Sequence, residues 1–215
     1  MSEPMPQLET EPTAPDRASG RAAGRISRKH KAIVEAALAC AIRDGVQATS
    51  VDAIAAQAGV GKQTIYRWWP SKAALYVDVY SEIVGKDVLM PDPGPLTTRL
   101  AAFLSKLFRL YRETPAGRIL AGLVAAATSD PETRRALQEG LVLGRAELVE
   151  GLVGEAVADG TFGGDPAIAN EIVVAVVWKR LVMAPDSLDD AFARTLADLA
   201  LSAAASSPYR TGAAP

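Results

Sequence analysis

The sequence is poor in the residue types that most catalytic and metal sites require. It has one cysteine, Cys40, and one histidine, His30, among 215 residues. One cysteine excludes a disulfide within the chain, and zinc sites need clusters of Cys or His. A Ser-His-Asp triad would have to use His30, which lies in a basic run, and no GxxxxGK[ST] phosphate loop occurs. We therefore predict no catalytic residues, no metal, no cofactor and no enzyme activity.

Long apolar runs are also missing, although 49% of the residues are apolar. No run reaches the roughly 18 residues that span a bilayer. The N-terminal segment lacks the apolar stretch of a signal peptide, and the single cysteine suits a reducing compartment. We expect a cytoplasmic protein with no membrane partner.

The net charge of −2 conceals an uneven distribution. Residues 17–80 carry ten Lys and Arg against four Asp and Glu, whereas residues 81–215 carry thirteen against seventeen. The first sixteen residues hold four acids and no Lys or Arg. A basic segment beside an acidic body is typical of a nucleic-acid-binding module joined to a second unit.

The segment TSVDAIAAQAGVGKQTIYRWWPSK, residues 49–72, is the most informative part of the chain. Thr49 and Asp52 have the spacing of a capping box, and Gly59 fits the left-handed position that ends a helix. Helical spacing of the apolar residues predicts one helix near 50–57 and a second that Gly61 opens and residues 63–69 continue. The positions predicted to face inward are Val51, Ile54, Ala55, Ala58, Ile65 and Trp69. This pattern favours a helix-turn-helix; an ordinary helical hairpin with a solvated polar face is the alternative.

The second helix of this motif carries side chains suited to DNA. Gln63 can pair with adenine in two places, Lys62 favours guanine, and the Thr64 methyl can meet a thymine methyl. Tyr66 and Arg67 suit phosphate contacts, which position a helix without reading sequence. The DNA-binding residues predicted for this motif are Thr49, Gly61, Lys62, Gln63, Thr64, Tyr66, Arg67 and Lys72.

Residues 27–87 resemble the DNA-binding domain of the TetR family of transcriptional regulators. KAIVEAALACAIRDG is similar to the family's first helix with its closing glycine, and ATSVDAIAAQAGVGKQTIYRWWPSKAALY follows the family pattern almost position by position. The resemblance implies that Tyr66 and Lys72 contact the DNA backbone. Trp69 stands where the family usually has phenylalanine, a core position. The implied partner is double-stranded operator DNA.

Composition divides the chain into three parts. Residues 1–25 are rich in Pro, Glu, Thr, Ala, Arg and Gly, which predicts a disordered basic arm. Residues 26–88 form the predicted DNA-binding domain, and residues 96–206 the C-terminal domain, after the helix-breaking segment MPDPGPL. The arm could enter a minor groove through Arg25, Arg28 and Lys29, or it could be a solubilising tail.

The first helix is predicted near 27–44, ended by Gly45, and the fourth near 72–84. The C-terminal part shows no strand-like alternation, and its prolines and glycines separate predicted helices. These helices lie at about 96–113, 116–128, 131–159, 166–183 and 188–205. The predicted fold class is all-α: a three-helix helix-turn-helix domain plus a C-terminal helical bundle, about nine helices in total.

Residues 167–182, AIANEIVVAVVWKRLV, are apolar on most sides and need cover on most sides. They and the following helix resemble the two helices that form the dimer interface of the TetR family; burial within one chain is the alternative. The interface candidates are Ile172, Val176, Lys179, Phe192, Leu196 and Leu199. A two-fold dimer suits a palindromic operator.

Regulators of this family usually sense a small molecule in the C-terminal domain, and ligand cavities are mostly apolar. Candidate wall residues are Phe103, Leu107, Leu120, Val124, Leu148, Leu152 and Trp178, each of which could instead be plain core. Arg118 and Arg145 could meet an anionic effector or lie on solvated faces.

The sequence thus predicts a homodimeric, ligand-responsive transcriptional repressor that binds a palindromic operator. The competing hypothesis is a small-molecule-binding or interaction protein with a vestigial DNA-binding part. The basic residues Lys62, Arg67 and Lys72 argue against it.

Overall fold

The structure is a computed structural model that describes residues 17–85 and 94–207, with the side chains of residues 28–85, 94–140 and 148–207. Within this part of the chain every regular element is helical, which confirms the all-α fold class. The helices are α1 (Arg17–Ala48), α2 (Val51–Ala58), α3 (Lys62–Tyr66), α4 (Lys72–Val84), α5 (Leu96–Glu113), α6 (Ala116–Ala127), α7 (Pro131–Leu137), α8 (Leu143–Ala158), α9 (Pro166–Met183) and α10 (Asp190–Ser206).

Helix α1 begins at Arg17, well before the predicted start near residue 27. Residues 17–25 are therefore helical rather than a disordered arm, because alanine and arginine are strong helix formers; residues 1–16 lie outside the described part. Gly45 has φ 82° and ψ 158°, so regular helix stops where the sequence predicted, and one further turn leads to Ala48.

The helix predicted over 131–159 is helical without interruption from Pro131 to Ala158, but a π-helical segment, Gln138–Val142, divides it into α7 and α8. Asp130 caps α7 by accepting the backbone N–H groups of Glu132 and Thr133 at 3.1 and 3.2 Å. Gly140 lies in the π-helical segment, where a Cβ atom would come within 2.4 Å of Val77 Cγ1 on α4. The change from α-helix to π-helix therefore lies where α4 approaches closely, and the division raises the helix number in the described residues to ten.

Helix α4 connects the two parts of the protein. It packs against α1 of the N-terminal part and against α6 and α7 of the C-terminal part. The Tyr76 hydroxyl donates to the Ala37 carbonyl at 3.3 Å, and burial raises the pKa of Tyr76 to about 12. The Tyr80 and Tyr111 hydroxyls lie 2.8 Å apart and link α4 to α5.

Helices α8 and α10 both pack against α9, and α5 lies along α10. The core of this part consists mainly of leucines and alanines, with Leu100, Leu104 and Phe108 of α5 fully buried. Arg112 and Arg180 donate to the carbonyls of Leu188 and Ser187, and so hold the short 3₁₀ turn Pro185–Ser187 after α9.

Candidate DNA-binding interface

The start of α2 differs by one residue from the prediction. Ser50, not Thr49, is the N-cap, and its hydroxyl accepts the Ala53 N–H at 3.1 Å. The Thr49 hydroxyl donates to the Gly45 carbonyl at 2.8 Å, and Thr49 is only 3% exposed. The predicted capping box is therefore wrong, because the Thr49 side chain is buried against the end of α1. The predicted DNA contact of Thr49 stays a prediction.

The turn between α2 and α3 is built as predicted. Gly59 adopts the left-handed conformation with φ 64° and ψ 35°, and the Val60 N–H returns to the Ala55 carbonyl at 3.0 Å. Helix α3 opens at Gly61 and is shorter than predicted, although the Trp69 N–H still reaches the Ile65 carbonyl at 3.0 Å.

One side of α3 is buried and the other is open. Ile65 and Trp69 are 1% and 5% exposed, as the sequence predicted. The polar residues predicted to meet DNA lie on the opposite side, where Lys62, Gln63, Tyr66 and Arg67 are exposed and Thr64 is half-buried. The fold therefore presents these five side chains together on one short helix.

Sequence reasoning missed a cluster that fixes the buried side of α3. The Trp69 indole N–H donates to Asp78 Oδ2 of α4 at 3.0 Å, and His30 Nε2 of α1 lies 3.2 Å from the same oxygen. The His30 ring also packs against Trp69 and Trp68, with ring centres 4.6 and 5.5 Å apart. A buried tryptophan in place of phenylalanine brings an N–H that needs an acceptor, and that was the available signal.

Lys72, which the family resemblance predicts to contact the DNA backbone, is bonded within its own chain in this structure. Its ammonium donates to the carbonyls of Val46, Gln47 and Thr49 at 3.0, 3.2 and 2.8 Å. These bonds use all three N–H donors, and desolvation lowers the pKa of Lys72. Carbonyls at a helix end need donors, so in this structure Lys72 ties α4 to the end of α1 and has no donor left for a phosphate.

The remaining predicted DNA contacts precede the folded core of α1. Arg28 and Lys29 are exposed, while the side chain of Arg25 lies outside the described residues.

The predicted dimer contacts divide into two groups. Leu199 is 55% exposed, Lys179 is exposed, and Ile172 and Val176 are half-buried. Leu196 is fully buried within its own chain, so its predicted interface role is wrong. Phe192 is half-buried and already engaged: its ring stacks on Phe108 at 6.1 Å, and the Arg180 guanidinium carbon lies 3.4 Å from its centre.

The predicted pocket residues lie in or against the core of the C-terminal part. Phe103, Leu107, Leu120 and Leu152 are buried core, and Val124, Leu148 and Trp178 pack against that core from half-buried positions. A cleft of about 690 Å³ lies elsewhere, between Ile42 of α1, the α5–α6 junction and the end of α9. Its apolar lining includes Ile42, Tyr111, Pro115, Ala121, Leu181 and Leu188, and Arg118 also lines it. Arg145 falls among the side chains outside the description.

Comparison with known proteins shows which family this chain resembles along its length. Residues 33–79 match the family model for bacterial regulatory proteins of the tetR family, and residues 90–200, more than half of the chain, match that for the tetracyclin repressor-like C-terminal domain. The DNA-binding transcriptional repressor TetR of Mycobacteroides abscessus is 30% identical over 179 residues, which cover 81% of this chain and 92% of that protein. The uncharacterized HTH-type transcriptional regulator YdeS of Bacillus subtilis is 26% identical over 180 residues, covering 83% and 90%.

Solved structures give the same result. The TetR family transcription regulator SCO0332 is 29% identical with a TM-score of 0.67, covering 81% of this chain and 97% of its own. FadR of Bacillus subtilis, solved with stearoyl-CoA, is 22% identical with a TM-score of 0.60, covering 80% and 97%, a likeness of fold alone.

The fold and the exposed face of α3 define a helix-turn-helix DNA-binding protein. The chain belongs to the TetR family, and it is a DNA-binding regulator of transcription. None of the helices in residues 17–85 and 94–207 combines the length and apolar character needed to cross a membrane.

The carbonyl contacts of Lys72 predict a structural effect for Lys72→Met. The free energy of unfolding should fall by about 1–2 kcal/mol, since three carbonyls lose a charged donor but remain open to water. The salt dependence of DNA binding should stay at the wild-type slope. Lys31→Met is the matched control, because Lys31 forms only an exposed pair with Glu35 and should change stability little. Thermal unfolding and binding titrations at several salt concentrations measure both quantities. A reduced salt slope with unchanged stability would restore the phosphate role.

Proposed function

We propose that this protein is a repressor that binds a palindromic operator as a homodimer and releases it when a small molecule binds. The observation that carries the proposal is the set of Lys62, Gln63, Thr64, Tyr66 and Arg67 on the open side of α3, while Ile65 and Trp69 lock the other side. We infer a regulator rather than an enzyme, located in the cytoplasm. In this proposal residues 26–88 bind DNA, and residues 96–206 bind the effector and a second copy.

We assign the polar residues at α3 to two kinds of DNA contact according to their chemistry. Lys62, Gln63 and Thr64 begin the helix, the end that helix-turn-helix proteins direct at base edges. Tyr66 and Arg67 lie one turn later and would reach phosphates, with Arg28 and Lys29 of α1 adding positive charge nearby in sequence. In a DNA-binding part that had lost its function, we would not expect this whole set of DNA-compatible side chains to remain exposed.

The proposed dimer uses the outer face of α9 with part of α10. Val182, Met183 and Leu199 are 42%, 72% and 55% exposed, and Ile172 and Val176 are half-buried on the same helices. Large apolar side chains grouped on a surface mark an interaction site. A second copy of the chain, related by two-fold symmetry, would cover this face. The two α3 helices of such a dimer would then bind the two half-sites of one palindrome.

The proposed effector site is the cleft between α1, the α5–α6 junction and the end of α9. Its volume of about 690 Å³ suits a small organic molecule with an apolar body. Arg112 and Arg180 hold one wall by binding the carbonyls of Leu188 and Ser187, so the cleft is preformed.

A ligand in this cleft would touch both parts of the protein. Ile42 belongs to α1, and the hydroxyl of Tyr111 is 2.8 Å from that of Tyr80 on α4. Gln47 Nε2, near the end of α1, donates to the Gly122 carbonyl of α6 at 3.0 Å. A bound ligand would therefore change how α1 and α4 pack on α5 and α6 and so lower the affinity for operator DNA. By linkage, operator DNA would lower the affinity for the ligand by the same factor.

The DNA proposal is tested by selecting duplexes from a randomised library with the wild-type protein. We expect an inverted repeat with half-sites about one helical turn apart. Gln63→Ala should lose preference at one base position, at a cost of roughly 1–3 kcal/mol. Tyr66→Phe should weaken selected and scrambled duplexes alike, by about 1 kcal/mol, because it removes one hydrogen bond to the backbone. If no sequence is enriched, the DNA-binding part is vestigial.

The dimer proposal is tested with Val176→Asp combined with Leu199→Asp. Burying two carboxylates in the seam should convert the protein to monomers in sedimentation experiments and reduce operator affinity at least tenfold. Val157→Asp is the matched control, because Val157 is also an exposed apolar residue, at 38%, but belongs to α8 rather than to α9 or α10. A monomeric wild type, or a double variant that remains dimeric, contradicts this interface.

The cleft proposal is tested by a ligand screen that measures thermal stabilisation and operator release. Compounds that act on the wild type should lose their effect on Ile42→Glu, because a carboxylate in an apolar lining repels an apolar ligand. Val157→Glu again serves as the control and should respond like the wild type. Equal ligand responses in wild type and Ile42→Glu would place the effector elsewhere.

A further inference from the structure

An ion pair joins the recognition helix α3 to α2. Lys62 is the first residue of α3, and its Nζ atom lies 3.0 Å from Oδ2 of Asp52, in the first turn of α2. Both side chains face solvent, 45% and 72% exposed, so the pair lies on the surface that the proposed function turns toward DNA. An acidic residue on such a surface opposes phosphate and needs an explanation.

We propose that Asp52 is a specificity-determining residue that positions the Lys62 ammonium over the start of α3 and stays bonded to it in the operator complex. This inference rests on the proposed function, because it concerns how that surface separates one DNA sequence from another.

The first argument is the number of donors. A lysine ammonium has three N–H groups, and the bond to Asp52 uses one of them. The two that remain match the O6 and N7 acceptors that guanine presents in the major groove. Holding the ammonium on Asp52 also removes much of the rotational freedom of the lysine stem before DNA arrives, which lowers the entropy cost of the base contact.

The second argument is electrostatic. Phosphate attraction dominates non-specific binding and carries no sequence information. A carboxylate 3.0 Å from the ammonium repels a phosphate that approaches Lys62, whereas the base-edge acceptors are neutral and suffer little from it. Asp52 therefore weakens the non-specific use of Lys62 more than its base-reading use.

The charge state of the lysine fits this role. The hydrogen bond to Asp52 raises the pKa of Lys62, with the Coulomb attraction as the second cause. The ammonium therefore remains protonated across the physiological pH range.

The test compares two affinities for each variant: for the duplex that the wild type selects from a randomised library, and for a scrambled duplex of the same composition. Asp52→Asn should bind the scrambled duplex about threefold to fivefold more tightly and gain little on the selected duplex, so the affinity ratio falls by a similar factor. The salt slope on scrambled DNA should steepen, because a freed Lys62 joins the phosphate contacts.

Two further variants separate positioning from simple charge. Asp44→Asn removes an exposed acid from the same part of the protein, one that pairs with Arg43 at 2.7 Å, and should leave the ratio unchanged. Lys62→Met should lower the ratio by itself, and adding Asp52→Asn to it should cause no further change, since the residue that Asp52 positions is gone. Circular dichroism and thermal unfolding establish that each variant is folded.

Three results would overturn the inference. If Asp52→Asn raised both affinities by the same factor, as expected for Asp44→Asn, Asp52 would act only as a general negative charge. A ratio change of the same size in the Lys62→Met background would show that Asp52 acts without Lys62. Failure of the wild type to select any sequence would remove the proposed function and this inference together, and it is recognised before any variant is made.

Discussion

The function of the protein depends on the burial of Ile65 and Trp69, because this burial sets the direction of α3. Helix α3 spans only Lys62–Tyr66, and a helix this short is not stable by itself in water. Its direction is set by those two side chains and by the bond from the Trp69 indole to Asp78. The direction of the polar face follows, because side chains on one helix keep fixed angles to each other.

The same dependence extends to the C-terminal part through α4. This helix carries Asp78, which holds Trp69, and also Val77, whose Cγ1 would lie within 2.4 Å of a Cβ atom at position 140 in the π-helical segment after α7. Its Tyr76 reaches α1 and its Tyr80 reaches α5. Helix α4 therefore contacts the C-terminal part and the end of α3 at the same time.

Features set by neighbouring residues could be predicted from the sequence, and features set by distant packing could not. The left-handed Gly59, the bounds of α4, α5 and α9, and the inward Ile65 and Trp69 all follow from local chemistry. The bonds of Lys72 to carbonyls 23 to 26 residues away, the burial of Leu196 and the π-helical segment around Gly140 depend on tertiary contacts. Thr49 and Ser50 are adjacent hydroxyls, and only the end of α1 decides which one caps α2.

The aromatic cluster at the end of α3 gives the protein an optical reporter of its own. Two of its three tryptophans, Trp68 and Trp69, lie there, and the third, Trp178, lies on α9. Trp68 is half-buried. The Arg67 guanidinium lies 5.9 Å from the centre of its ring, and the His30 ring packs against it. Docking of a polyanion beside that ring changes its local field, so the intrinsic emission of the unlabelled protein follows events at the recognition helix.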